Sequence, residues 1–408
     1  MNVIFYIYLF SGILKGIMKF YGIDLPIDLT ALTGAVLAID VVFHVFKRAL
    51  SGLPFSKLGL YPLIVLLAFT GWMAFTLLYT PSESYSKAKL FYFSTNIIAF
   101  AYPIFHIKLN ISKVLKYFVL GFAIVTFWYV PILMHYINSP ELHALQRYNN
   151  VFNLYLVIGL YSGFSVILLV IRPKLFNHAW VRVFLLIFFL TSLFLSGARA
   201  SIIITLLLLL VILFERAFMF LISASKMNQR KMVMNAFLTL FIITGILVIS
   251  VLFSGKINSL ASRSVKRFDI LVNSLNVATP ENKRFKQLEF SMDKINESVS
   301  SVVHGYGIGS YGVIESAKDA RAYPHNFILE IQFETGIIGL LLFLLFLFTI
   351  FINSKSYAYP LPVFIFLYFL LNYLKSWSIV DMRICFAFLG IFILQQLPEY
   401  KNQIKENE

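Results

Sequence analysis

Runs of about twenty apolar residues recur along the whole chain, separated by short segments that carry most of the charges. A hydrocarbon core about 30 Å thick requires a helix of about twenty residues, so each run predicts one membrane span. No small-residue cleavage site follows the first run, so we expect it to form a span and not a signal peptide. The runs predict an all-α, polytopic membrane protein with about twelve transmembrane helices, near residues 2–22, 29–46, 58–79, 89–106, 113–137, 150–171, 179–196, 201–222, 232–254, 327–352, 358–374 and 378–397.

The positive charges of the short loops predict the orientation of these spans. The loops that follow even-numbered spans are rich in Lys and Arg, which favours the cytoplasmic side for them and for both termini. The one long loop then falls on the extracytoplasmic side. The expected organisation is nine spans in residues 1–254, a long extracytoplasmic loop with an amphipathic helix in 255–324, and three spans with a short cytoplasmic tail in 325–408.

Composition agrees with this interpretation and excludes others. Hydrophobic residues make up 59% of the chain and charged residues 13%, about half the usual share of a soluble domain. A net charge of +15 would suggest a nucleic-acid partner for a soluble protein, but here the basic residues orient helices, so we expect none. The single cysteine, Cys385, excludes a disulfide within the chain. No internal repeat is visible, which argues mildly against a transporter.

The first candidate for chemistry is Arg199, which lies between two strongly apolar runs in the small-residue segment 196–201. An arginine at the membrane is costly and usually has a partner, so Arg199 indicates an anionic ligand or a buried carboxylate. A loop arginine that extends to water at the interface explains the pattern equally well.

The long loop contains two further features. Residues 304–312 hold four glycines, which would allow close backbone approach to a ligand, although they lack the strand and helix of a nucleotide-binding turn. Residues 281–297 have helical spacing, and Arg284 lies beside the apolar face, from which it could point toward the membrane. That face consists of Phe285, Leu288, Met292 and Ile295.

A histidine marks the start of the tenth span. Pro324 ends any helix that arrives from the loop, and Asn326 or His325 can cap the new one. The positive end of the helix dipole disfavours imidazolium, which keeps His325 a neutral base able to take a proton from a hydroxyl. The alternative, a capping or interfacial histidine without chemistry, is the commoner case for a lone histidine.

Residues 325–339 closely resemble the signature of the O-antigen ligase and O-antigen polymerase superfamily, in which a His-Asn pair opens a helix and Glu-x-Gly-x-x-Gly follows. The segment 196–201 is similar to the small-residue/arginine motif of that family. Residues 305–312 resemble its glycine-rich turn, and the long loop matches in place and size. The resemblance covers roughly residues 190–350 by motif and the remainder by topology.

This resemblance implies a membrane glycosyltransferase of C-type architecture in the bacterial inner membrane. It would act at the periplasmic face on an undecaprenyl-diphosphate-linked glycan, with His325 as the base for the acceptor hydroxyl. Arg199 and Arg284 would hold the donor diphosphate, a role that suits bidentate guanidinium groups. Arg147 resembles a further arginine of the family and would contact diphosphate or glycan, unless it is a plain loop residue.

Two supporting residues follow from the same resemblance, and the remaining expectations follow from the residues themselves. Asn326 and Glu334 belong to the motif around the base. No Asp-x-Asp and no clustered His/carboxylate set is visible, so we expect neither a metal nor a cofactor. Lys89, at the start of the fourth span on the extracytoplasmic side, is a weaker candidate for contact with the substrate, with anchoring of the membrane interface as the alternative. Asp381 with Arg383 predicts a structural ion pair. Three other arginines compete with Arg284 for the diphosphate: Arg263, Arg267 and Arg321.

Several functions remain open. A polymerase would add the growing chain to another lipid-linked repeat, with a chain-length regulator protein as a partner. A ligase would move the chain to the lipid A core. We lean slightly to the polymerase. A transporter or flippase would bind the same diphosphate without a base, but it should carry charges deep within several spans. A non-catalytic scaffold would leave the His-Asn motif unexplained.

Overall fold

All regular secondary structure is helical in the part of the chain that the computed structural model describes, which comprises residues 2–51, 56–106, 109–138, 154–196, 198–222, 283–352, 360–397 and 400. The helices are α1 (Asn2–Phe20), α2 (Leu29–Leu50), α3 (Lys57–Phe75), α4 (Tyr85–Phe105), α5 (Ile111–Asn138), α6 (Leu154–Ile171), α7 (Ala179–Ser196), α8 (Arg199–Ile222), α9 (Lys283–Ile295), α10 (Val299–Val303), α11 (Ser310–Ser316), α12 (Phe327–Ile352), α13 (Pro360–Ser376) and α14 (Arg383–Gln396).

These helices confirm an all-α membrane protein. They cover every predicted span except the ninth, 232–254, which lies outside the described residues. Six of them are long and apolar enough to cross a membrane, namely α1, α2, α3, α5, α7 and α12, and three shorter helices are also apolar. The count of twelve crossings stays a prediction.

The chain divides into two compact units that combine segments distant in sequence. The first unit comprises Met1–Leu9, Ile27–Ile111 and Thr279–Glu408. The second comprises Phe10–Pro26 and Ser112–Ala278. The predicted topological boundaries after residues 254 and 324 stay predictions.

Aromatic contacts hold the centre of the first unit. Phe386 of α14 stacks on Phe346 of α12 with ring centroids 5.5 Å apart, and it meets Phe93 of α4 edge-on at 6.0 Å. A Cβ atom at Gly390 would overlap the carbonyl oxygen of Phe100, so the glycine lets α14 approach α4 closely. Such close packing fixes α4 and α12, the two helices that carry the candidate site.

The described part of the long loop forms a small packed structure on α12. The helix predicted over 281–297 is confirmed as α9. Its buried stripe is Gln287, Ser291 and Ile295, whereas Leu288 and Met292 are 40% and 44% exposed. Leu288 and Met292 of the predicted face therefore remain on the surface. Ile295 enters a core that it shares with Tyr311, Phe333, Phe290, Tyr306, Ile314, Ala322 and Leu329.

In the second unit, α6 crosses tightly against the segment that precedes α8. A Cβ atom at Gly159 would overlap Ala198 and would lie 2.9 Å from Ser196 Oγ. Ser196 Oγ donates to the carbonyl of Leu193 at 2.7 Å and accepts from the N–H of Ala198 at 3.2 Å. The small residues before Arg199 therefore serve close helix packing, and they fix where α8 begins.

Candidate functional site

The first turn of α12 is capped as predicted by Asn326. Its Oδ1 accepts from the N–H groups of Ile328 at 3.0 Å and Leu329 at 3.2 Å, and its carbonyl accepts from the N–H of Glu330 at 2.9 Å. A side-chain cap of this kind satisfies N–H groups that the helix itself cannot. The position of His325 immediately before the cap is therefore fixed.

His325 has a left-handed backbone, with φ of +57°. This conformation is uncommon for a non-glycine residue and costs free energy, on the order of 1–3 kcal/mol, that the surroundings must supply. Such residues cluster at functional sites. The imidazole is half-buried and meets the ring of Tyr323 edge-on, with centroids 4.8 Å apart. The fold thus holds this side chain in one place at a cost in stability.

A break in α12 follows about three turns later, at Gly336. Its φ of +64° and ψ of −169° belong to a region that essentially only glycine occupies. Three successive carbonyls before the break accept hydrogen bonds from outside the helix: Phe333 from the N–H of Tyr306 at 2.9 Å, Glu334 from the N–H of Gly307 at 2.8 Å, and Thr335 from Nε1 of Trp72 at 2.8 Å. The irregular backbone is therefore satisfied by protein groups, as the membrane requires.

The glycine-rich turn packs against this break. A Cβ atom at Gly305 would lie 2.6 Å from the backbone of Glu334 and Gly336, and one at Gly307 would lie 2.5 Å from Thr80. Both glycines have positive φ, at +73° and +90°. The sequence suggested that these glycines allow the backbone to approach a ligand closely. In the structure they allow it to approach α12 and Thr80 instead.

Substitution of Gly336 by alanine should destabilise the protein by at least about 2 kcal/mol, because the backbone is strained for any side chain and the Cβ would overlap the Val303 carbonyl oxygen. Thermal unfolding in detergent measures the effect. Gly71→Ala is the matched control, since open space surrounds its Cβ position. Equal melting temperatures for the two variants would contradict the account of the break.

Glu334 lies in a buried ion cluster with Lys89 and Glu330. The Lys89 Nζ atom is 2.5 Å from Glu330 Oε1 and 2.7 Å from Glu334 Oε1. All three side chains are at most 2% exposed. Glu330 also accepts from Ser378 Oγ at 2.6 Å and from the N–H of Ile379 at 2.9 Å. The cluster ties α4, α12 and the segment before α14 together.

The alternative in which Lys89 anchors the membrane interface is therefore wrong. A lysine inside an apolar helix needs a partner, and Glu330 and Glu334, four residues apart, share one helix face. The lysine in an apolar helix and the two glutamates on one helix face could together have predicted this cluster from the sequence. Glu334 supports the site from within the core, as a partner of Lys89.

Asp319 joins the loop after α11 to the start of α4. Its carboxylate accepts from Ser82 Oγ at 2.6 Å, from Ser84 N–H at 2.7 Å and from Ser84 Oγ at 2.8 Å, with longer bonds from the N–H groups of Glu83 and Tyr85. The hydrogen bonds from Ser82 and Ser84 hold the pKa of Asp319 well below its usual value. The carboxylate thus caps α4 from a distant part of the chain.

Substitution of Asp319 by alanine should lower stability by roughly 1 kcal/mol at pH 7, the usual cost of a lost helix cap. Because the folded-state pKa is depressed, the contribution is present above the unfolded pKa of about 3.9 and is lost as pH falls below it. Thermal melts between pH 7 and pH 3 should show the difference from wild type shrink at the acid end. The control is Asp293→Ala, on the exposed face of α9.

Asp381 pairs with Arg321 and not with Arg383. One guanidinium nitrogen of Arg321, Nη2, donates to both carboxylate oxygens, at 2.7 and 2.8 Å, and the nearby carboxylate raises the pKa of Arg321. The guanidinium of Arg383 instead lies over the ring of Tyr8, 4.9 Å from its centroid. The predicted pair was wrong because residues two apart do not face each other at a helix start. Because Arg321 already forms an ion pair with Asp381, it is a weaker alternative to Arg284 as a diphosphate ligand.

The predicted arginines are distributed as follows. Arg199 is the first residue of α8, in the second unit, and is half-buried. Arg284 is the second residue of α9, and its side chain lies outside the described residues. Arg147, like Arg263 and Arg267, lies outside them altogether. The structure therefore places Glu334 on α12, with Asn326 as the cap of that helix and His325 directly before the cap, and the proximity of the arginines to His325 stays a prediction.

Comparison of the sequence with models of known protein families finds no match, and comparison with curated protein sequences finds no significant relative.

Proposed function

We propose that this protein is a membrane glycosyltransferase that moves an undecaprenyl-diphosphate-linked glycan onto a hydroxyl acceptor during bacterial surface-polysaccharide assembly. Its site would lie at the periplasmic face of the inner membrane, with twelve spans and both termini in the cytoplasm. The single observation that carries the proposal is the geometry of His325. The side chain stands in a strained backbone conformation directly before a capped helix, and it belongs to the His-Asn motif.

The contacts that fix the backbone around His325 support a catalytic role for this residue. The break at Gly336, the buried Lys89 cluster and the Asn326 cap all fix the first half of α12. A base must be positioned to within a fraction of an ångström to take a proton efficiently, and side chains on supported elements achieve this. A merely interfacial histidine would need no such support.

The two arginines proposed to bind the diphosphate, Arg199 and Arg284, both lie in the first turn of a helix. Arg199 is the first residue of α8 and Arg284 the second residue of α9. The helix dipole makes a cation unfavourable at that end and an anion favourable. An anion bound at such a helix start would contact the guanidinium group and lie at the positive end of the helix dipole. A diphosphate has the charge and oxygens for such a site.

The proposed reaction balances without a co-reactant. The acceptor hydroxyl oxygen attacks the anomeric carbon of the donor sugar, and the bond from that carbon to the diphosphate oxygen breaks. His325 takes the hydroxyl proton, and undecaprenyl diphosphate leaves with the electron pair, its charge stabilised by the arginines. Attack from the face opposite the leaving group inverts the anomeric configuration.

Polymerase and ligase differ only in the acceptor, either another lipid-linked glycan or the lipid A core. We lean to the polymerase. The alternative from another class is a transporter or flippase for lipid-linked oligosaccharide, which would bind diphosphate and break no bond.

The test is a transfer assay with the purified full-length protein in liposomes, supplied with undecaprenyl-diphosphate-linked glycan and each acceptor in turn. We expect extended glycan and released undecaprenyl diphosphate in equal amounts, in the presence of EDTA. Donor that crosses the bilayer without cleavage would favour the flippase. Intact donor on its original side with every acceptor would overturn the proposal.

A further inference from the structure

We propose that Asp40, His44 and His106 form a binding site for a transition-metal ion of the zinc class, at the place where α2 meets the end of α4. Asp40 and His44 lie one turn apart on α2, and His106 directly follows the last residue of α4. One potential ligand atom of each side chain lies within 4.8 Å of those of the other two. The proposal does not depend on the glycosyltransferase function.

The distances within the cluster suit a metal. Nδ1 of His106 is 3.3 Å from Oδ2 of Asp40, which is a distance between two potential ligand atoms, whereas Nδ1 of His44, 3.6 Å from Oδ1, belongs to the side of that ring that faces α2. Ligand atoms bound tetrahedrally to zinc, with bonds of about 2.0–2.1 Å, lie about 3.3–3.5 Å from one another. Small side-chain rotations would therefore complete the coordination.

The Oδ2 atom of Asp40 gives a second, independent reason. It is buried and accepts no hydrogen bond with acceptable geometry from any residue that the structure describes. A buried carboxylate oxygen without a donor costs free energy, and a bound cation would remove that cost. The Asp40 side chain is 12% exposed and that of His44 37%, so an ion can reach the cluster from the surface.

Neighbouring groups hold both imidazole rings. Nδ1 of His44 lies 2.9 Å from the carbonyl oxygen of Asp40, so a proton on Nδ1 is donated there and leaves Nε2 as the ligand atom. The ring of His106 stacks on Tyr102 at 4.6 Å and lies 4.6 Å from the ring of His44. Orientation of ligating histidines by second contacts of this kind is general in metal sites.

The ligand types select the class of metal. Two imidazoles and one carboxylate suit zinc, nickel or cobalt, whereas magnesium and calcium prefer oxygen ligands alone. Three protein ligands leave one position for water. The sequence analysis saw no clustered His/carboxylate set, because His106 lies 62 residues after His44 and comes to the cluster from another helix.

The site lies far from the candidate chemistry. Lys89 and His106 are seventeen residues apart along α4, which corresponds to roughly 25 Å at 1.5 Å per residue. A metal ion there would clamp α2 to α4 and would stabilise the folded protein as its concentration rises. EDTA should therefore lower the melting temperature and leave glycan transfer intact.

The experiment is a titration of chelator-treated, full-length protein, purified without a polyhistidine tag, with ZnCl₂ in a calorimeter and with CoCl₂ in a spectrometer. We expect one zinc ion per chain, a tetrahedral cobalt spectrum, and a melting temperature several degrees higher with zinc. Asp40→Asn and His106→Gln should each weaken zinc binding at least tenfold. His178→Gln, at an exposed histidine before α7, should bind as wild type does.

Two outcomes would overturn the site: no zinc bound by wild type, or equal affinity in wild type and in His106→Gln. His44→Gln guards against misfolding, because this side chain is the most exposed of the three. If His44→Gln melts like metal-free wild type and still binds zinc as tightly, the ion sits elsewhere and the proposal fails.

Discussion

Replacement of His325 by alanine is expected to lower the rate of glycan transfer by roughly 10²–10⁴-fold, the usual contribution of a positioned general base. Donor binding should change little, because the proposed base contacts the acceptor hydroxyl and the arginines hold the diphosphate. The measurement is the initial rate in the transfer assay at saturating donor, together with donor affinity from the concentration dependence. A loss confined to donor affinity would remove His325 from the chemistry.

His325→Gly separates the loss of chemistry from a loss of folding. Glycine adopts a φ of +57° without strain, so this variant should be at least as stable as His325→Ala and equally inactive. His304→Ala is the matched control, since His304 is an exposed histidine on the neighbouring loop. It should retain wild-type transfer. If His304→Ala lost as much activity as His325→Ala, the loop and not the base would explain the effect.

Replacement of Lys89 by methionine should destabilise the protein by about 3–5 kcal/mol, the cost of breaking a buried ion pair by removing one partner. Methionine fits the volume of the lysine stem, so the cost comes from two buried carboxylates, Glu330 and Glu334, that lose their counter-charge. The measurement is thermal or denaturant unfolding of the protein in detergent.

Two further variants test the cause of that loss. Lys87→Met removes an exposed lysine two residues earlier on the same helix and should be nearly neutral. Combining Lys89→Met with Glu330→Gln and Glu334→Gln removes the unpaired charges and should recover part of the stability, since amide oxygens can still accept from Ser378 and Ile379. A triple variant less stable than Lys89→Met would show that altered packing, and not the unpaired charge of the glutamates, causes the loss of stability.

The sequence predicts the helices well because a span is encoded locally. Twenty apolar residues in a row specify a membrane helix whatever surrounds them. The cap at Asn326 could be predicted from Pro324 and from the apolar run that follows. The helical spacing of residues 281–297, which predicted α9, is equally local. These features needed no knowledge of tertiary contacts.

The contacts between distant segments could not be predicted in the same way. Lys89 and Glu330 are 241 residues apart, and the partner of Asp381 is Arg321 and not its neighbour in sequence. The glycines of the turn suggested a ligand, because a sequence shows that a close approach occurs but not what approaches. His106 joins Asp40 only through the packing of α2 on α4.

The separation of Lys89 from Glu330 also has a consequence for synthesis of the chain. At about 5–20 residues per second, a ribosome needs roughly 10–50 s to travel between the two codons. For that interval α4 carries a charged lysine whose carboxylates do not yet exist. A chain that ends before residue 330 lacks both carboxylates, so Lys89 cannot be buried there without the free-energy cost of an unpaired charge.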